Sequence, residues 1–279
     1  MRAVLLLQCP DRPGIVAGVG AFVAEAGGNI IEADQHSDPV AGLFLQRIEF
    51  DVDATRAHLA TAFGPLAEQY SMQWQVYDLA AQASVALLAS RQGHCLADLL
   101  VRFELGEMPA RALFVASNHD TQHATAERFG VPFHSLPVRG DDRDAQERAL
   151  GELLHEQAPD VVVLARYMLV LPPWLVDEWR GRMINIHHSF LPSFAGARPY
   201  AQAHERGVKV IGATAHYVTP ELDDGPIIAQ QVMPVSHRDD PARLERRGRD
   251  LEAVVLAEAL RLHLEHRVIV YGRRTAVFD

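Results

Sequence analysis

The chain has 279 residues, of which 48% are hydrophobic and 22% are charged, a balance that is typical of globular proteins and argues against disorder. This length is sufficient for two domains, each with its own hydrophobic core. The net charge of −10 argues against a nucleic-acid partner, because proteins that bind nucleic acid normally present a basic face.

One run of basic residues is a candidate nucleic-acid-binding patch despite the negative net charge. Acidic residues are interleaved with it, a pattern that favours a solvated helix face over a binding patch. Its arginines are Arg243, Arg246, Arg247 and Arg249.

The two cysteines, Cys9 and Cys95, lie far apart and match no metal-binding spacing, so neither a disulfide framework nor a zinc finger is supported. This usage fits a reducing cytoplasm. The apolar run near the start is too short for a secretory signal, and no stretch approaches the roughly 20 apolar residues that cross a bilayer. We therefore expect a cytoplasmic protein that has no membrane partner.

Residues 1–80 predict a first domain that runs strand, helix, strand, strand, helix, strand. The segment Asp11–Gly14 offers a cap and a proline that suits a first helical turn. This order predicts a four-stranded antiparallel sheet with two helices on one face, the ferredoxin-like α+β arrangement. The predicted strands are 4–7, 30–36, 43–50 and 73–79, and the predicted helices end near residue 26 and span 53–70.

The order of these elements, with D-R-P-G opening the first helix and A-G-G-N-I-I closing it, resembles an ACT domain. ACT domains bind small ligands, often amino acids, near that first loop and helix, frequently between two copies. The resemblance implies an amino-acid effector site and a homo-oligomer. In the alternative, the glycines only form turns and the domain only oligomerises. The implied regulatory residues are Asp11, Pro13, Gly14 and Asn29.

After a linker near residues 80–83, strands alternate with helices over residues 84–279. Alternation of this kind predicts an α/β domain with a mostly parallel, doubly wound sheet, whose functional residues follow the carboxyl ends of the strands. A long amphipathic helix is expected over 241–266. The predicted strands are 84–89, 110–117, 133–136, 161–164, 183–187, 213–218 and 226–235.

The first turn of this second domain reads S-R-Q-G-H at residues 90–94. A dinucleotide-binding domain would carry G-x-G-x-x-G at this position, and those glycines are missing. A Walker A sequence is absent as well. We therefore expect no bound NAD, FAD or other cofactor.

The string I-N-I-H-H at residues 184–188 places polar residues in an otherwise apolar strand. Alternation along a strand puts Asn185 and His187 on one face and predicts that His188 points away. For that reason a zinc site shared by His187, His188 and His216 is disfavoured. A lone buried histidine is more often a hydrogen-bonded core residue, so this string alone is a weak signal.

An acidic turn, E-L-D-D-G-P at residues 221–226, strengthens the interpretation. On its own such a turn is as often only a solvated loop. Together the two stretches offer an amide donor, an imidazole that titrates near neutral pH and a carboxylate that orients the imidazole or a water molecule.

Four strings in this domain closely resemble the formyltetrahydrofolate deformylases, which are relatives of the glycinamide ribonucleotide formyltransferases. The strings are N-I-H-H-S-F-L-P, G-A-R-P-Y, G-A-T-A-H-Y-V and L-D-D-G-P-I-I. The resemblance spans the chain to its closing V-I-V-Y-G-x-R-T-x-V-F and includes the ACT-like domain, which the transferases lack. It implies a hydrolase that converts 10-formyltetrahydrofolate to formate and tetrahydrofolate, supplying formate and balancing the one-carbon folate pool for purine biosynthesis.

The resemblance also implies roles for single residues. The catalytic residues would be Asn185, His187 and Asp223, without a metal ion. A folate pocket would be formed by residues 167–171 and 218–223, through apolar contacts and backbone hydrogen bonds to the pterin. The implied folate-binding residues are Tyr167, Met168, Leu169, Leu171, Val218, Thr219 and Glu221.

Two other functions remain open from the sequence. One is formyl transfer to an amine, which the turn at residues 90–94 disfavours because it lacks the small residues with which the transferases hold a phosphorylated amine; Arg91 in that turn is still able to meet an anion. The other is a regulatory binding protein with an inactive second domain, which the presence of all three catalytic residue types disfavours.

Overall fold

The structure, a computed structural model, describes residues 1–138, 140, 142–192 and 199–279. The chain forms two compact units, of which the first comprises residues 1–82 and 262–279 and the second residues 83–261. The sequence alone predicts that residues 262–279 belong to the second domain. In the structure they pack with the first unit.

The first unit contains the ferredoxin-like arrangement that the sequence predicted. Its elements are β1 (Arg2–Pro10), α1 (Ile15–Glu25), β2 (Asn29–Asp38), β3 (Leu43–Asp51), α2 (Arg56–Tyr70) and β4 (Gln73–Asp78), followed near the C-terminus by β12 (Val268–Tyr271) and β13 (Arg274–Val277). The main sheet has the strand order β2-β3-β1-β4, and its neighbouring strands are antiparallel.

The two faces of this sheet have different covers. On one face, alternate residues of β1 such as Leu5 and Leu7 pack into a core with Phe22 and Phe63 of the two helices. On the other face Leu45 packs against the C-terminal hairpin β12–β13, in a smaller cluster whose further buried members are Ile269 and Phe278. Residues 262–279 belong to the first unit because they cover this second apolar face.

Helix α1 begins after Gly14, the cap residue, whose φ of 97° is a left-handed conformation that favours glycine. Asp11 is therefore not the cap residue, although its backbone N–H donates to the carbonyl of Gly42 at 3.0 Å. The glycine is needed for the turn itself, whatever else the loop does.

The second unit alternates strands and helices. Its elements are β5 (Ala83–Ala89), α3 (His94–Glu104), β6 (Ala110–Ser117), a 3₁₀ turn (Asp120–Gln122), α4 (His123–Arg128), β7 (Phe133–Ser135), α5 (Arg143–Gln157), β8 (Val161–Ala165), α6 (Pro173–Glu178), β9 (Met183–His187), α7 (Pro199–Glu205), β10 (Val210–Tyr217), β11 (Ile227–Pro234) and α8 (Pro241–Leu264) up to residue 261. The predicted α/β fold is confirmed.

The seven-stranded sheet has the order β11-β10-β9-β8-β5-β6-β7. Its pairings from β9 to β7 are parallel, whereas β10 pairs antiparallel with both β9 and β11. The chain leaves β5 toward β6 and later returns on the other side to β8. Sheets of this type bind ligands beyond the carboxyl ends of the strands beside such a switch point.

Strand composition explains why the centre of this sheet is buried. Strand β8 reads V-V-V-L-A, and every residue in it is buried, as expected for a parallel strand that is covered on both faces.

Across the described residues, no helix combines the length and the apolar character that are needed to span a bilayer.

The basic run in α8 is only in part the solvated helix face that the sequence predicted, because Arg249 lines a cavity of the second unit. Arg243 and Arg247 both pair with Asp239, at 2.9 and 3.0 Å, and Arg249 pairs with Glu245 at 2.5 Å. These positive charges are therefore neutralised by nearby carboxylates.

Candidate active site

The second unit contains a cavity of about 820 Å³, which is lined by residues at and beyond the ends of β8, β9 and β10 and by one side of α8. A volume of several hundred cubic ångströms is typical of sites for small molecules. The lining includes Asn185, His187 and Asp223, so the structure brings together the three residues that the sequence predicted as catalytic.

Strand β9 contributes two of these side chains from one face, as its alternation predicted. Its antiparallel partner β10 places His216 directly opposite Asn185, and Asn185 Nδ2 lies 3.2 Å from His216 Nε2. Since His216 Nδ1 donates to the carbonyl of Tyr217 at 2.9 Å, a neutral His216 carries its lone pair on Nε2 and accepts from the amide of Asn185. The second N–H of that amide is not needed for this contact.

The third side chain comes from the turn after β10. Asp223 adopts a left-handed φ of 55°, which is uncommon for a residue other than glycine. Two residues later Gly225 lies so close to β10 that a Cβ atom there would be 1.7 Å from the carbonyl oxygen of Tyr217. The G-P pair therefore allows a close approach that directs Asp223 toward β9.

The resulting contacts fix the charge of the carboxylate. Asp223 Oδ2 lies 3.2 Å from His187 Nδ1, and Oδ1 lies 3.7 Å from His216 Nε2. The hydrogen bond from His187 Nδ1 holds the pKa of Asp223 well below its usual value, against the opposing effect of partial burial. Asp223 is therefore ionised across the physiological pH range.

His187 is oriented for proton transfer. Because an ionised carboxylate only accepts hydrogen bonds, the Nδ1 atom of His187 carries the proton that faces Asp223. The other ring nitrogen, Nε2, is buried and has no hydrogen-bond partner among the described residues. Buried polar atoms are rarely unsatisfied, so this nitrogen marks a position where a ligand or water is expected.

The predicted folate-binding residues lie around the same cavity with one exception. Residues 167–171 together with Val218 and Thr219 line it, whereas Glu221 is not part of the lining. Burial raises the pKa of Tyr167 to about 12, and its hydroxyl accepts from Gln146 Nε2 at 2.8 Å. Tyr167 is therefore a neutral part of a mostly apolar wall.

The prediction that His188 points away from the site is wrong. Strand β9 ends at His187, so alternation does not extend to His188, and both histidines line the cavity. Their rings are 4.8 Å apart between centroids and inclined by 23°. Of the G-A-R-P-Y string, residues 196–198 lie outside the described residues, while Tyr200 lies on α7 and lines the cavity.

A buried polar network that the local sequence patterns did not predict lies at one end of the cavity. Glu252, which is 1% exposed, approaches His94 Nε2 at 2.8 Å, accepts from the hydroxyl of Tyr200 at 2.5 Å and lies 3.2 Å from Arg166 Nε. Burial opposes ionisation of Glu252, but hydrogen bonding to His94 and the charge of Arg166 outweigh it and lower its pKa. No local motif reveals such a network, because its members are up to 158 positions apart.

Among the described residues, His94, Cys95 and Glu252 form a group that is close enough to share a metal ion. Its surroundings disfavour a cation, because the guanidinium of Arg166 already pairs with Glu252. Burial also raises the pKa of the Cys95 thiol well above its usual value, so it is not a ready thiolate ligand.

The chain is similar to known families over its full length. Family models match at residues 83–260 for the formyl transferase family and at residues 3–64 for the ACT domain. A formyltetrahydrofolate deformylase from Synechocystis sp. is 50% identical, over 100% of this chain and 99% of that protein. One from Bacillus subtilis is 46% identical, over 99% and 93%.

Solved structures agree with these matches. A formyltetrahydrofolate deformylase from Pseudomonas syringae pv. tomato superimposes with a TM-score of 0.97 at 48% identity, covering 100% of this chain and 94% of that one. Glycinamide ribonucleotide transformylase 1 from Symbiobacterium toebii reaches a TM-score of 0.68 at 35% identity, covering 71% of this chain and 95% of that one. The match to the deformylase thus extends across both units. The chain belongs to the formyltetrahydrofolate deformylase family.

Proposed function

We propose that this protein hydrolyses 10-formyltetrahydrofolate to formate and tetrahydrofolate. The observation that carries the proposal is the convergence of an amide, an imidazole and an ionised carboxylate on one cavity, as described for Asn185, His187 and Asp223. Membership of the deformylase family supports a formylated tetrahydrofolate as the substrate.

The reaction needs a nucleophile, a place for negative charge and a proton for the leaving nitrogen. Water adds to the formyl carbon while the spare N–H of Asn185 donates to the oxygen on which charge develops; losing such a donor in other enzymes costs about 10²- to 10³-fold in kcat. His187 Nε2 takes a proton from the water and delivers it to the folate nitrogen as the C–N bond breaks. Asp223 stabilises the imidazolium that forms between these steps.

The pterin is assigned to the apolar wall of the cavity. Residues 167–171, with Val218 and Thr219, line this wall and supply apolar contacts. Glu221 is left out of this assignment because it does not line the cavity. The fit of a ring system against apolar walls with a few polar groups is usual for small-molecule sites.

Water is proposed as the formyl acceptor in place of an amine. Side chains of the turn at residues 90–94 are engaged within the protein, since the hydroxyl of Ser90 donates to Asn118 Oδ1 at 2.7 Å and accepts from the N–H of Met168 at 3.0 Å. Gln92 Oε1 accepts from Arg166. A turn whose polar groups bond internally has less capacity to hold a phosphorylated amine.

The first unit is proposed to regulate or assemble the enzyme. The loop and helix start around Asp11, Pro13 and Gly14, with Asn29 at the start of β2, remain the proposed position for an amino-acid effector. Homo-oligomerisation through this unit is part of the same proposal. The buried free thiols of Cys9 and Cys95 support the expected cytoplasmic location, where the formate released would enter the one-carbon pool for purine synthesis.

The test is release of formate from 10-formyltetrahydrofolate by the purified full chain in buffer that contains no amine acceptor. Turnover is expected in buffer alone, and adding glycine or methionine tests the effector. If formate appears only when an amine acceptor is supplied, the protein is a transferase and the hydrolytic proposal fails.

The matched variants are His187→Ala and His155→Ala. His187→Ala is expected to abolish formate release without unfolding the protein. His155 is an exposed histidine on α5 that pairs with Glu178 at the surface, so its variant should retain full activity. Undiminished formate release by His187→Ala would contradict the proposed mechanism.

A further inference from the structure

His216 is a buried histidine beside Asn185, and the proposed mechanism gives it no role. It lies on β10 and is 2% exposed. The pairing of β10 with β11 shifts register between Ala215 and His216, and bulges of this kind redirect a side chain, often next to an active site. On its other side β10 pairs His216 with Asn185 of β9. The imidazole and the amide therefore lie opposite each other on the same face of the sheet.

The backbone fixes the tautomer of His216. Its Nδ1 atom lies 2.9 Å from the carbonyl oxygen of Tyr217. A carbonyl only accepts hydrogen bonds, so Nδ1 carries the proton, and Nε2 of the neutral ring is left with a lone pair. Nε2 is therefore an acceptor, and β10 sets its position.

Two polar groups of the site lie near that lone pair. Asn185 Nδ2 lies 3.2 Å from His216 Nε2, whereas Oδ1 of Asp223 lies 3.7 Å from it, beyond hydrogen-bond distance. Of these two groups only the amide has a hydrogen to donate, because Asp223 is ionised. An acceptor at this point disfavours the flipped amide, in which Oδ1 of Asn185 would face Nε2 and the two lone pairs would repel.

Strand geometry alone does not determine how the amide is turned. Strand β9 fixes the direction of the Cα–Cβ bond of Asn185. The terminal torsion of an asparagine is broad and roughly two-fold, so nitrogen and oxygen exchange places at little cost unless a partner distinguishes them. His216 is such a partner. Because the amide is planar, holding one N–H also fixes the direction of the other.

We propose that His216 is a positioning residue, which holds the Asn185 amide so that its second N–H is directed at the formyl oxygen. It acts through Asn185 and exchanges no proton with the substrate. Without the lone pair at Nε2 the amide rotates, and the developing oxyanion meets a donor for only part of the time. This inference rests on the proposed function and deepens it, because it explains how the donor is oriented before the reaction begins.

The kinetic test compares His216→Phe with His216→Gln. Phenylalanine keeps a planar ring but has no acceptor, so kcat for formate release is expected to fall by about 10- to 10²-fold. The KM for 10-formyltetrahydrofolate should change less than about twofold, since the pterin wall is untouched. Glutamine offers Oε1 as an acceptor and should restore about threefold to tenfold of the loss, the worth of one neutral hydrogen bond. Activity of His216→Phe within about twofold of wild type, or no advantage of His216→Gln, would overturn the inference.

The matched control is His134→Phe. His134 lies on β7, the edge strand farthest from β11 in this sheet, and it does not line the cavity. The same replacement there should leave kcat at the wild-type value. An equal loss of kcat in His134→Phe and His216→Phe would show that any histidine lost from this sheet disturbs the site, and would overturn the specific role of His216.

A double-mutant cycle tests whether His216 acts through Asn185. In Asn185→Ala the amide is gone, so adding His216→Phe to it should change kcat by less than about twofold. A further fall as large as the one in the wild-type background would mean that His216 contributes by another route, and the inference would be wrong.

The inference and the proposed function fail in different ways. If wild-type protein and His216→Phe release formate equally well, the hydrolase stands and the positioning role is wrong. If wild-type protein releases no formate, the proposed function is wrong, and the orientation of the amide is still read from long-range ¹H–¹⁵N spectra of the folded wild-type chain. These spectra are expected to place the proton of His216 on Nδ1 alone. A proton on Nε2 of His216 would overturn the inference whatever the activity, because that nitrogen would then donate to Asn185 and not accept from it.

Discussion

Each unit contains a buried polar cluster, and the two differ in whether the cluster is complete. In the first unit Arg47, which is 1% exposed, donates to Glu32 and Glu49 at 2.6 and 2.8 Å and to the carbonyl of His266 at 3.2 Å. In the second unit the site around His187 leaves the buried Nε2 atom without a protein partner in the part of the chain that the structure describes.

This difference distinguishes the Arg47 cluster, which stabilises the fold, from the site around His187, which is able to bind and react with a ligand. Burial of Glu49 opposes its ionisation, but hydrogen bonds from Arg47 and Arg2 outweigh burial and lower its pKa, so the cluster is internally neutralised. A complete network offers nothing to a ligand and contributes to folding. An incomplete one is unfavourable until a ligand or water occupies it, which is the condition of a site that binds and reacts.

The largest effect is expected when the site around His187 loses the carboxylate of Asp223. Asp223→Asn replaces an obligate acceptor with an amide that is able to donate, so His187 loses the fixed proton on Nδ1. We expect kcat for formate release to fall by about 10³- to 10⁴-fold, with an unchanged unfolding midpoint. The control is Asp224→Asn, since the neighbouring Asp224 does not line the cavity. Equal losses in both variants would show that the turn, and not the carboxylate at 223, is responsible.

A substitution in the Arg47 cluster should lower the free energy of unfolding and leave kcat unchanged. Arg47→Met leaves Glu49 without its main partner in a buried position, and we expect the free energy of unfolding in urea to fall by about 3 to 5 kcal/mol. The control is Arg180→Met, which removes an exposed pair with Asp177 and should cost less than about 1 kcal/mol. At a temperature where both variants are folded, kcat should equal that of wild type. A stability loss no larger than that of the control would contradict the comparison.

A smaller effect is expected from moving the carboxylate without removing it. Gly225→Ala places a methyl group against the carbonyl of Tyr217, so the turn shifts and the contact between Asp223 and His187 lengthens. A displacement of about 1 Å is enough to lower kcat by about 10²-fold. Gly64→Ala, at a helical position with open space around it, is the control and should leave kcat unchanged. Normal activity of Gly225→Ala would mean that the turn adapts without moving Asp223.

The smallest effect concerns how stability depends on pH through His266, whose carbonyl accepts from Arg47. Burial, with the charges of His263 and Arg47, lowers the pKa of His266 to about 3. The unfolded chain therefore binds a proton at this residue below about pH 6.5 while the folded chain does not. Stability conferred by neutral His266 is full above that pH and decreases as the pH falls, by up to about 1.4 kcal/mol per pH unit.

The check is urea unfolding of wild type and His266→Asn between neutral pH and moderately acidic pH. Asparagine tolerates the left-handed φ of 53° at this position and does not titrate. The variant should show a shallower decline, whereas His58→Asn, at an exposed position on α2, should follow wild type. Parallel curves for His266→Asn and wild type would refute the assignment.

Local pattern was sufficient for much of the fold and for part of the site. Alternating elements predicted the α/β unit, and period-two alternation placed Asn185 and His187 on one face of a strand, because the side-chain direction in a strand depends only on position along it. The resemblance of short strings added Asp223 and the wall at residues 167–171. Alternation failed at His188, because strand β9 ends at His187. Just beyond that end, the hydroxyl of Thr214 on β10 donates to the carbonyl of Ser189.

What the amino-acid sequence determined by itself is therefore the set of elements, the family and the three residues expected to react. Tertiary structure alone decided which distant groups meet: Arg166 and Glu252 behind His188, His216 beside Asn185, and the C-terminal hairpin on the first sheet. The physical reason is that helix and strand periodicities act over a few residues. Hydrogen bonds and apolar burial between distant segments depend on how the whole chain is packed.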